Sequence, residues 1–297
     1  MNHYKSFSKY LQVDFKSRHG LKEKFLLFLV YLQQERNLAF NTIRVYSAAL
    51  RTWFTQKGWP DPVERNGIKD PSFRLLLMGI RRASVKQLRP QRTPITLPRL
   101  IRFVDAIATL RISKLERVRL RAIFLLAFWG LFRASELCKD PKNSMFLRRR
   151  DVAIYNTNEG HKYIKLKLRK TKTTQCKPTS VYIYANNTKY CAVAAVAKFI
   201  KLTKTQTRSS HFFSLGTLVM SSKYFNLLIK SLASRLQLNP KFYSSHCLRA
   251  GGATAATNSG VPPHVIKQMG RWSSNCFELY IRKPKEALLK AQQSILK

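Results

Sequence analysis

Acidic residues are scarce in this sequence. Its 297 residues include 14 Asp and Glu against 55 Lys and Arg, which gives a formal net charge of +41 at pH 7. A folded chain this basic repels itself unless a polyanion neutralises it, and the usual polyanion is DNA or RNA. The chain is also 45% hydrophobic and 11% aromatic, so it can form a packed core and is not a disordered basic tail. A ribosomal or membrane-surface protein is the alternative, which the aromatic-rich helical segments favour less.

Cysteines and long apolar runs are also few. The five cysteines form no C-x-x-C pair, which is typical of isolated thiols in a reducing compartment and argues against a disulfide or metal framework. The longest apolar run, residues 122–132, is too short to span a bilayer, and no apolar signal segment opens the sequence. The sequence therefore predicts a soluble intracellular protein with no membrane segment. A carboxylate cluster is also lacking, so we expect no metal and no other cofactor.

Hydrophobic periodicity predicts a mainly α-helical fold with a small β-sheet or hairpin. Apolar residues recur at helical spacing through most of the chain, while residues 163–169 alternate apolar and basic side chains, as in a half-buried strand. A second strand is predicted at residues 181–184, with a polar hairpin loop between the two. We predict a helical domain at residues 1–82, a basic proline-containing linker at 83–99, and a larger domain at 100–297 that ends in an amphipathic tail.

Several basic residues are candidates for contact with phosphates. Arg44 and Arg51 share one predicted helix and lie on roughly the same face. DNA contact and ordinary solvation explain this pair about equally well. The region around the linker contributes Arg81, Arg82, Arg89 and Arg92. An extended basic linker can follow a DNA backbone, although a plain solvated connector has the same composition.

A set of residues suited to phosphate chemistry lies near the C-terminus. His246 and Arg249 form a His-x-x-Arg motif, and Tyr280 follows downstream. A guanidinium grips two phosphate oxygens and keeps its charge, an imidazole transfers protons near neutral pH, and a tyrosine hydroxyl can attack phosphorus. In so basic a protein, this set predicts attack of the Tyr280 hydroxyl on a DNA phosphodiester.

A second arginine is needed to clamp the phosphate, and Arg133 is the natural choice. It directly follows the apolar run and therefore lies at the edge of the core. Glu136 comes three residues later and can hold the guanidinium in position. Taken alone, Arg133 is better explained as a surface charge at a helix end with a local ion pair. Together with Arg249, it predicts a phosphate clamp.

In combination, these motifs resemble the tyrosine recombinase/integrase family over residues 95–290. The residues that carry the resemblance are Arg133, Glu136, His246, Arg249, Gly270, Arg271, Trp272 and Tyr280. It implies a two-domain architecture with a helical core-binding domain and an α+β catalytic domain. The sequences of these motifs are most similar to those of recombinases from eukaryotic mobile elements of the DIRS, Ngaro or Crypton type. This resemblance implies a nuclear protein.

The resemblance also implies a role for each residue of the site. Tyr280 is the nucleophile, which forms a 3′-phosphotyrosyl bond and frees a 5′-hydroxyl. Arg133 and Arg249 stabilise the pentacoordinate phosphorus, and His246 assists proton transfer. Trp272 occupies the family's His/Trp position, where its indole N–H can donate to a non-bridging oxygen. As a single residue, a core aromatic is the commoner use of a tryptophan.

In this family a lysine in a β-hairpin loop protonates the leaving oxygen. Lys172 fits best because it lies in a Thr-Lys-Thr sequence, and Lys170 is the alternative. Simple contact with phosphates explains such a lysine-rich loop as well. The resemblance further implies double-stranded DNA as the partner and a homotetramer on DNA, since recombination cleaves two duplexes.

Two other functions are compatible with the same residues. One is a non-catalytic DNA-binding protein that descends from a recombinase, since the high positive charge suffices for binding. The other is a type IB topoisomerase-like enzyme, which nicks and reseals a single duplex. The N-terminal domain that resembles a core-binding domain favours recombination over the topoisomerase.

Overall fold

The computed structural model describes residues 6–7, 20–84, 92–140, 146–169 and 178–280. Over these residues the fold is mainly helical with small antiparallel sheets, which confirms the predicted fold class. The chain divides into two compact units, Met1–Arg89 and Pro90–Lys297. No helix in the described part is long and apolar enough to cross a bilayer.

The described part of the first unit consists of helices and one short hairpin around an aromatic core. Its elements are α1 Leu21–Gln34, α2 Phe40–Gln56, β1 Glu64–Arg65, β2 Ile68–Lys69 and α3 Pro71–Ala83. The ring of Phe25 lies 6.5 Å from that of Phe54 and 6.0 Å from that of Phe73. These aromatic contacts join all three helices into one core.

Arg51 is engaged inside the first unit. Its Nη2 lies 2.6 Å from a carboxylate oxygen of Asp61 and 2.6 Å from one of Glu64. Hydrogen bonding to Asp61 raises the pKa of Arg51, against the lowering effect of burial. Two carboxylates already neutralise this charge, and contact of Arg51 with DNA stays a prediction. Arg44 is exposed, with its guanidinium 5.9 Å from the ring centroid of Phe40.

The predicted linker begins within helix α3. Arg81 and Arg82 lie exposed in the last turn of this helix, where cations interact favourably with the negative end of the helix dipole. Both therefore belong to the first unit and remain available for phosphate contact. Arg89 lies outside the described residues.

The predicted linker at 83–99 extends too far at its C-terminal end. Ile95 is fully buried, and its N–H donates to the Cys247 carbonyl oxygen at 2.9 Å. Helix α4 then begins at Leu97. Burial of one apolar side chain thus fixes this segment against the second unit, and Arg92 is exposed beside it.

The described part of the second unit is organised around one buried helix. Its helices are α4 Leu97–Ala108, α5 Lys114–Trp129, α6 Ala134–Leu137, α7 Ala192–Leu202, α8 Ser222–Arg235, α9 Ser245–Asn258 and α10 Pro263–Gly270, with 3-10 helices at Arg149–Asp151, Pro240–Phe242 and Asn275–Tyr280. In α5 every residue from Ala122 to Phe128 is buried. This helix packs against α4, α7 and α9, so its C-terminal end leads directly from the core into the turn that carries Arg133.

The strands of the second unit form small antiparallel sheets. They are β3 Val152–Asn156, β4 Lys162–Leu168, β5 Thr179–Tyr184, β6 Ser214–Leu215 and β7 Leu218–Val219. Strands β4 and β5 pair with Ile164 opposite Ile183, in agreement with the predicted hairpin. Strand β3 adds to the other edge of β4. The sequence did not predict β3 because only one of its five residues is buried.

Candidate active site

Helix α9 brings Arg249 into the core by packing tightly against two backbone segments. A Cβ atom on Gly251 would lie 1.8 Å from the Ile95 carbonyl oxygen, and one on Gly252 would lie 2.4 Å from the Phe128 carbonyl oxygen. Any larger residue at either position would force the segments apart. The two glycines therefore set the depth at which Arg249 enters the second unit.

Arg249 is held by backbone carbonyls from two different turns. It is 1% exposed, and its Nη1 donates to the carbonyl oxygen of Leu131 while its Nη2 donates to that of Gly270 at 2.5 Å. The guanidinium carbon lies 4.0 Å from the ring centroid of Trp272. A buried charge is tolerated only when its donors are satisfied, so these contacts fix both its position and its orientation.

The turn after α5 presents an acceptor shared by two guanidiniums. Leu131 has a φ of 48°, in the left-handed region that residues with a side chain adopt only at a cost. Its carbonyl oxygen accepts hydrogen bonds from Arg249 and, at 3.1 Å, from Nη2 of Arg271. The strained turn thus aligns two arginines that come from different parts of the chain.

Arg133 and Glu136 are joined at the start of α6. Arg133 is the residue that precedes this helix, and its backbone N–H donates to Glu136 Oε2 at 2.9 Å. Its Nη1 lies 2.8 Å from Oε1 of the same carboxylate. The Arg133 side chain is 15% exposed and that of Glu136 is 2% exposed. Glu136 therefore anchors an arginine that is still open to solvent.

Arg271 binds the same carboxylate, although no role was predicted for it within the Gly-Arg-Trp motif. Its Nη2 lies 2.8 Å from Oε2 of Glu136, and its side chain is 7% exposed. We call Arg133, Arg249, Arg271 and Glu136 the arginine cluster. No local signal in the sequence marked Arg271, because three of its four acceptors are backbone carbonyls.

Three guanidiniums surround one carboxylate in the arginine cluster, so the cluster is strongly positive. Burial by itself would raise the pKa of Glu136, but the charges of Arg271, Arg133 and Arg249 and the Arg133 backbone N–H together lower it. Glu136 is therefore ionised at neutral pH. The site suits an anion, and no group of His, Cys, Asp or Glu in the described part of the chain could hold a metal ion.

His246 and Trp272 lie in different environments. His246 is exposed in the first turn of α9. Trp272 is 6% exposed and packs with Phe277 and other apolar residues while its ring faces Arg249. A Cβ on Gly270 would lie 1.7 Å from the Trp272 ring, so this glycine makes room for the stacking. Trp272 is both a core aromatic and one wall of the Arg249 site.

The remaining candidates are only partly described. Tyr280 is the last residue of a 3-10 helix that packs on α9 and α10. Its side chain, like Lys170 and Lys172, lies outside the described part of the chain. The structure thus brings Arg133, Glu136, Arg249 and Trp272 together and places the Tyr280 backbone on an adjoining element.

A partly buried ion pair lies at the end of β4, just before the segment that contains the candidate lysines. Arg169 follows β4 directly, and its Nη2 lies 2.8 Å from Oδ1 of Asp151. Asp151 is 4% exposed and also accepts a hydrogen bond from the Arg148 backbone N–H at 3.0 Å. This end of β4 is therefore fixed where the loop begins.

Comparisons with known proteins agree with this geometry. The model of the phage integrase family matches residues 96–285, which is more than half of the chain. No curated protein sequence gives a match. None of the comparisons bears on the narrower resemblance to DIRS, Ngaro or Crypton recombinases, which stays a prediction.

Solved structures share the fold. XerH site-specific recombinase bound to its difH substrate in a pre-cleavage complex is 15% identical with a TM-score of 0.62, over 98% of this chain and 78% of that chain. The Tn1549 transposon integrase in complex with transposon right end DNA is 16% identical with a TM-score of 0.57, over 93% of this chain and 85% of that chain. The chain therefore belongs to the phage integrase family of tyrosine recombinases, enzymes that break and rejoin DNA.

Proposed function

We propose that this protein is the site-specific recombinase of a mobile element and that it cuts DNA through a 3′-phosphotyrosyl intermediate on Tyr280. The observation that carries the proposal is the convergence of Arg133 and Arg249 on the turn at residues 131–136. These arginines come from distant parts of the sequence, and a pair of fixed guanidiniums suits a phosphodiester in its charged transition state. The mobile-element role is supported by the likeness to a transposon integrase.

The chemistry assigns one step to each group. The Tyr280 oxygen attacks phosphorus and gives its proton to His246, while the bond between phosphorus and the 5′-oxygen breaks. That oxygen takes a proton from the hairpin lysine, Lys172 or Lys170. The arginines stabilise the added negative charge on the phosphoryl oxygens. Rejoining is the reverse sequence, with a 5′-hydroxyl as the nucleophile.

Arg133 and Arg249 differ in solvent exposure, which suggests the order in which they contact a phosphate of the DNA. The Arg133 side chain is 15% exposed, whereas Arg249 is 1% exposed. An incoming phosphate therefore meets Arg133 first. Contact with Arg249 requires the site to open as DNA binds, which restricts cleavage to DNA that is fully engaged.

Covalent trapping tests the proposal. Duplexes that bind the protein are selected from a random-sequence pool and nicked just downstream of each candidate position, so that the short fragment with the freed 5′-hydroxyl diffuses away. We expect a protein–DNA adduct with the wild type and none with Tyr280→Phe, which still binds the duplex. Binding without any adduct would instead favour the non-catalytic DNA-binding protein.

Two further measurements separate the related functions. Strand exchange between two duplexes supports recombination, whereas relaxation of supercoils without a defined site supports a topoisomerase. The proposed homotetramer predicts four protomers on two paired duplexes. Its stoichiometry is measured with Tyr280→Phe, and deletion of residues 285–297 tests whether the amphipathic tail contributes to assembly.

A further inference from the structure

We infer that Arg271 is a positioning residue for DNA cleavage, which orients Arg133 and Arg249 through Glu136 and the Leu131 carbonyl without contacting the phosphate itself. The inference rests on the proposed function of the arginine cluster. It assigns a separate task to the third arginine of that cluster.

The hydrogen bonds of Arg271 leave its terminal nitrogens fully engaged. Nη1 donates to the carbonyl oxygens of Gly130 at 3.0 Å and Met269 at 2.9 Å. Nη2 donates to the carbonyl oxygen of Leu131 at 3.1 Å and to Glu136 Oε2 at 2.8 Å. Each terminal nitrogen of a guanidinium carries two hydrogens, so all four are used within the protein.

These partners connect the two turns that carry the other arginines. Gly130, Leu131 and Glu136 belong to the segment that presents Arg133, and Met269 belongs to the end of α10, next to the Gly270 carbonyl that binds Arg249. Arg271 thus ties both segments to one rigid group. Because Leu131 and Glu136 each have a second arginine as partner, a shift of Arg271 would be transmitted to both.

The backbone at Arg271 supports the same conclusion. It follows α10 with a φ of 57° and a ψ of 42°, a left-handed position where helices most often place glycine. A residue with a side chain is strained there. Arginine at this position is explained by the task of its guanidinium, which lies 4.6 Å from the ring centroid of Phe132 and is almost fully buried.

Arg271→Gly is the sharpest variant, because it removes the guanidinium and relieves the backbone strain at once. On the nicked duplex that traps the wild type, we expect single-turnover cleavage to fall about 100-fold, the typical cost of a small misplacement of reacting groups. DNA affinity should change little, since the phosphate never touches Arg271. Arg271→Lys keeps the charge but offers three donors from one nitrogen, and we expect an intermediate loss.

A double-mutant cycle with Glu136→Gln shows whether Arg271 acts through Glu136. Because both changes disrupt one unit, the double variant should cleave no more slowly than the slower single variant. Arg119→Met is the matched control for loss of a buried arginine: Arg119 is 4% exposed, pairs with Glu116 and donates to the carbonyl oxygens of Phe213 and Leu218. We expect Arg119→Met to lower thermal stability without a selective loss of cleavage.

The outcomes separate this inference from the proposed function. If the wild type gives no adduct on any selected duplex, both are overturned. If the wild type reacts but Arg271→Gly cleaves normally, the positioning role alone is overturned. Equal losses of affinity and cleavage, or additive losses with Glu136→Gln, also overturn it, because they indicate direct phosphate contact or an independent structural effect.

Discussion

Glu136 and Arg271 are separated by 135 positions in the sequence, yet Oε2 of one lies 2.8 Å from Nη2 of the other. The same carboxylate also binds the side chain and the backbone N–H of Arg133. One buried anion therefore determines how two cations are placed. The site gains its positive character from arginines that are held in place by other groups of the protein.

Arg44 and Arg51 lie on the same helix but differ in their surroundings. Arg44 is exposed, whereas Arg51 forms ion pairs with Asp61 and Glu64. If Arg44 contacts DNA, Arg44→Ala should lower the slope of log affinity against log salt by about 1. Arg51→Met should leave that slope unchanged but destabilise the first unit by about 1–2 kcal/mol, because Asp61 and Glu64 lose their partner. Binding titrations at several salt concentrations and thermal melts measure both. A reduced salt slope for Arg51→Met would instead show that Arg51 contacts DNA despite its ion pairs.

Either Lys172 or Lys170 is expected to protonate the leaving 5′-oxygen, and the chemistry of the leaving group can distinguish the two. We expect Lys172→Ala to slow cleavage of an ordinary phosphodiester by about 10²- to 10⁴-fold. A substrate with sulfur in place of the bridging 5′-oxygen should restore the rate, because a thiolate leaves without a proton. The control is Lys170→Ala, for which sulfur should bring no specific recovery. Recovery with Lys170→Ala instead would assign the proton donor to that residue.

The close approach of α9 makes Gly251 a stability determinant. Gly251→Ala places a methyl group against the Ile95 carbonyl oxygen and should destabilise the second unit by about 1–3 kcal/mol. The matched control is Gly79→Ala in α3, where a Cβ meets nothing within 4 Å and a gain of about 0.5–1 kcal/mol is expected. Chemical denaturation measures both. A neutral Gly251→Ala would mean that the segment at Ile95 can move away freely.

The stability of the second unit is expected to depend on pH through His211. Burial, with the charges of Lys139 and Arg119, lowers the pKa of His211 from 6.5 to about 4. The unfolded chain therefore binds a proton more readily than the folded one, and stability falls as pH drops from 6.5 towards 4, by roughly 3 kcal/mol.

Replacing His211 should remove this dependence. His211→Asn keeps an acceptor for the Phe213 backbone N–H, which donates to His211 Nδ1 at 3.1 Å, but does not titrate. We expect a flatter stability profile between pH 4 and 6.5, measured by denaturant unfolding at fixed pH values. The exposed His161 supplies the control, His161→Asn. An unchanged profile for His211→Asn would show that folding does not shift the pKa of His211.

Local patterns explain what the sequence could predict. The helices and the β4–β5 hairpin follow from side-chain periodicity, and the motifs at Arg133, His246 and Arg249 from residue chemistry. The end of the linker was missed because the burial of Ile95 depends on a distant glycine, Gly251. A single apolar residue beside prolines carries no periodic signal.

The role of Arg271 could not be predicted for a related reason. Three of its four acceptors are backbone carbonyls, two of them about 140 positions away, and a residue of any type can supply a backbone carbonyl. The engagement of Arg51 by Asp61 and Glu64 depends likewise on a turn that brings acidic residues back to α2. In both cases the partners that neutralise a charged side chain are distant in the sequence, so they are known only from the folded structure.

The shared carbonyl of Leu131 has a consequence during synthesis of the protein. Arg249 and Arg271 follow it by 118 and 140 positions, so a nascent or truncated chain that ends before Arg271 lacks part of the arginine cluster. The ability to cut DNA would then arise only after most of the polypeptide has emerged and folded.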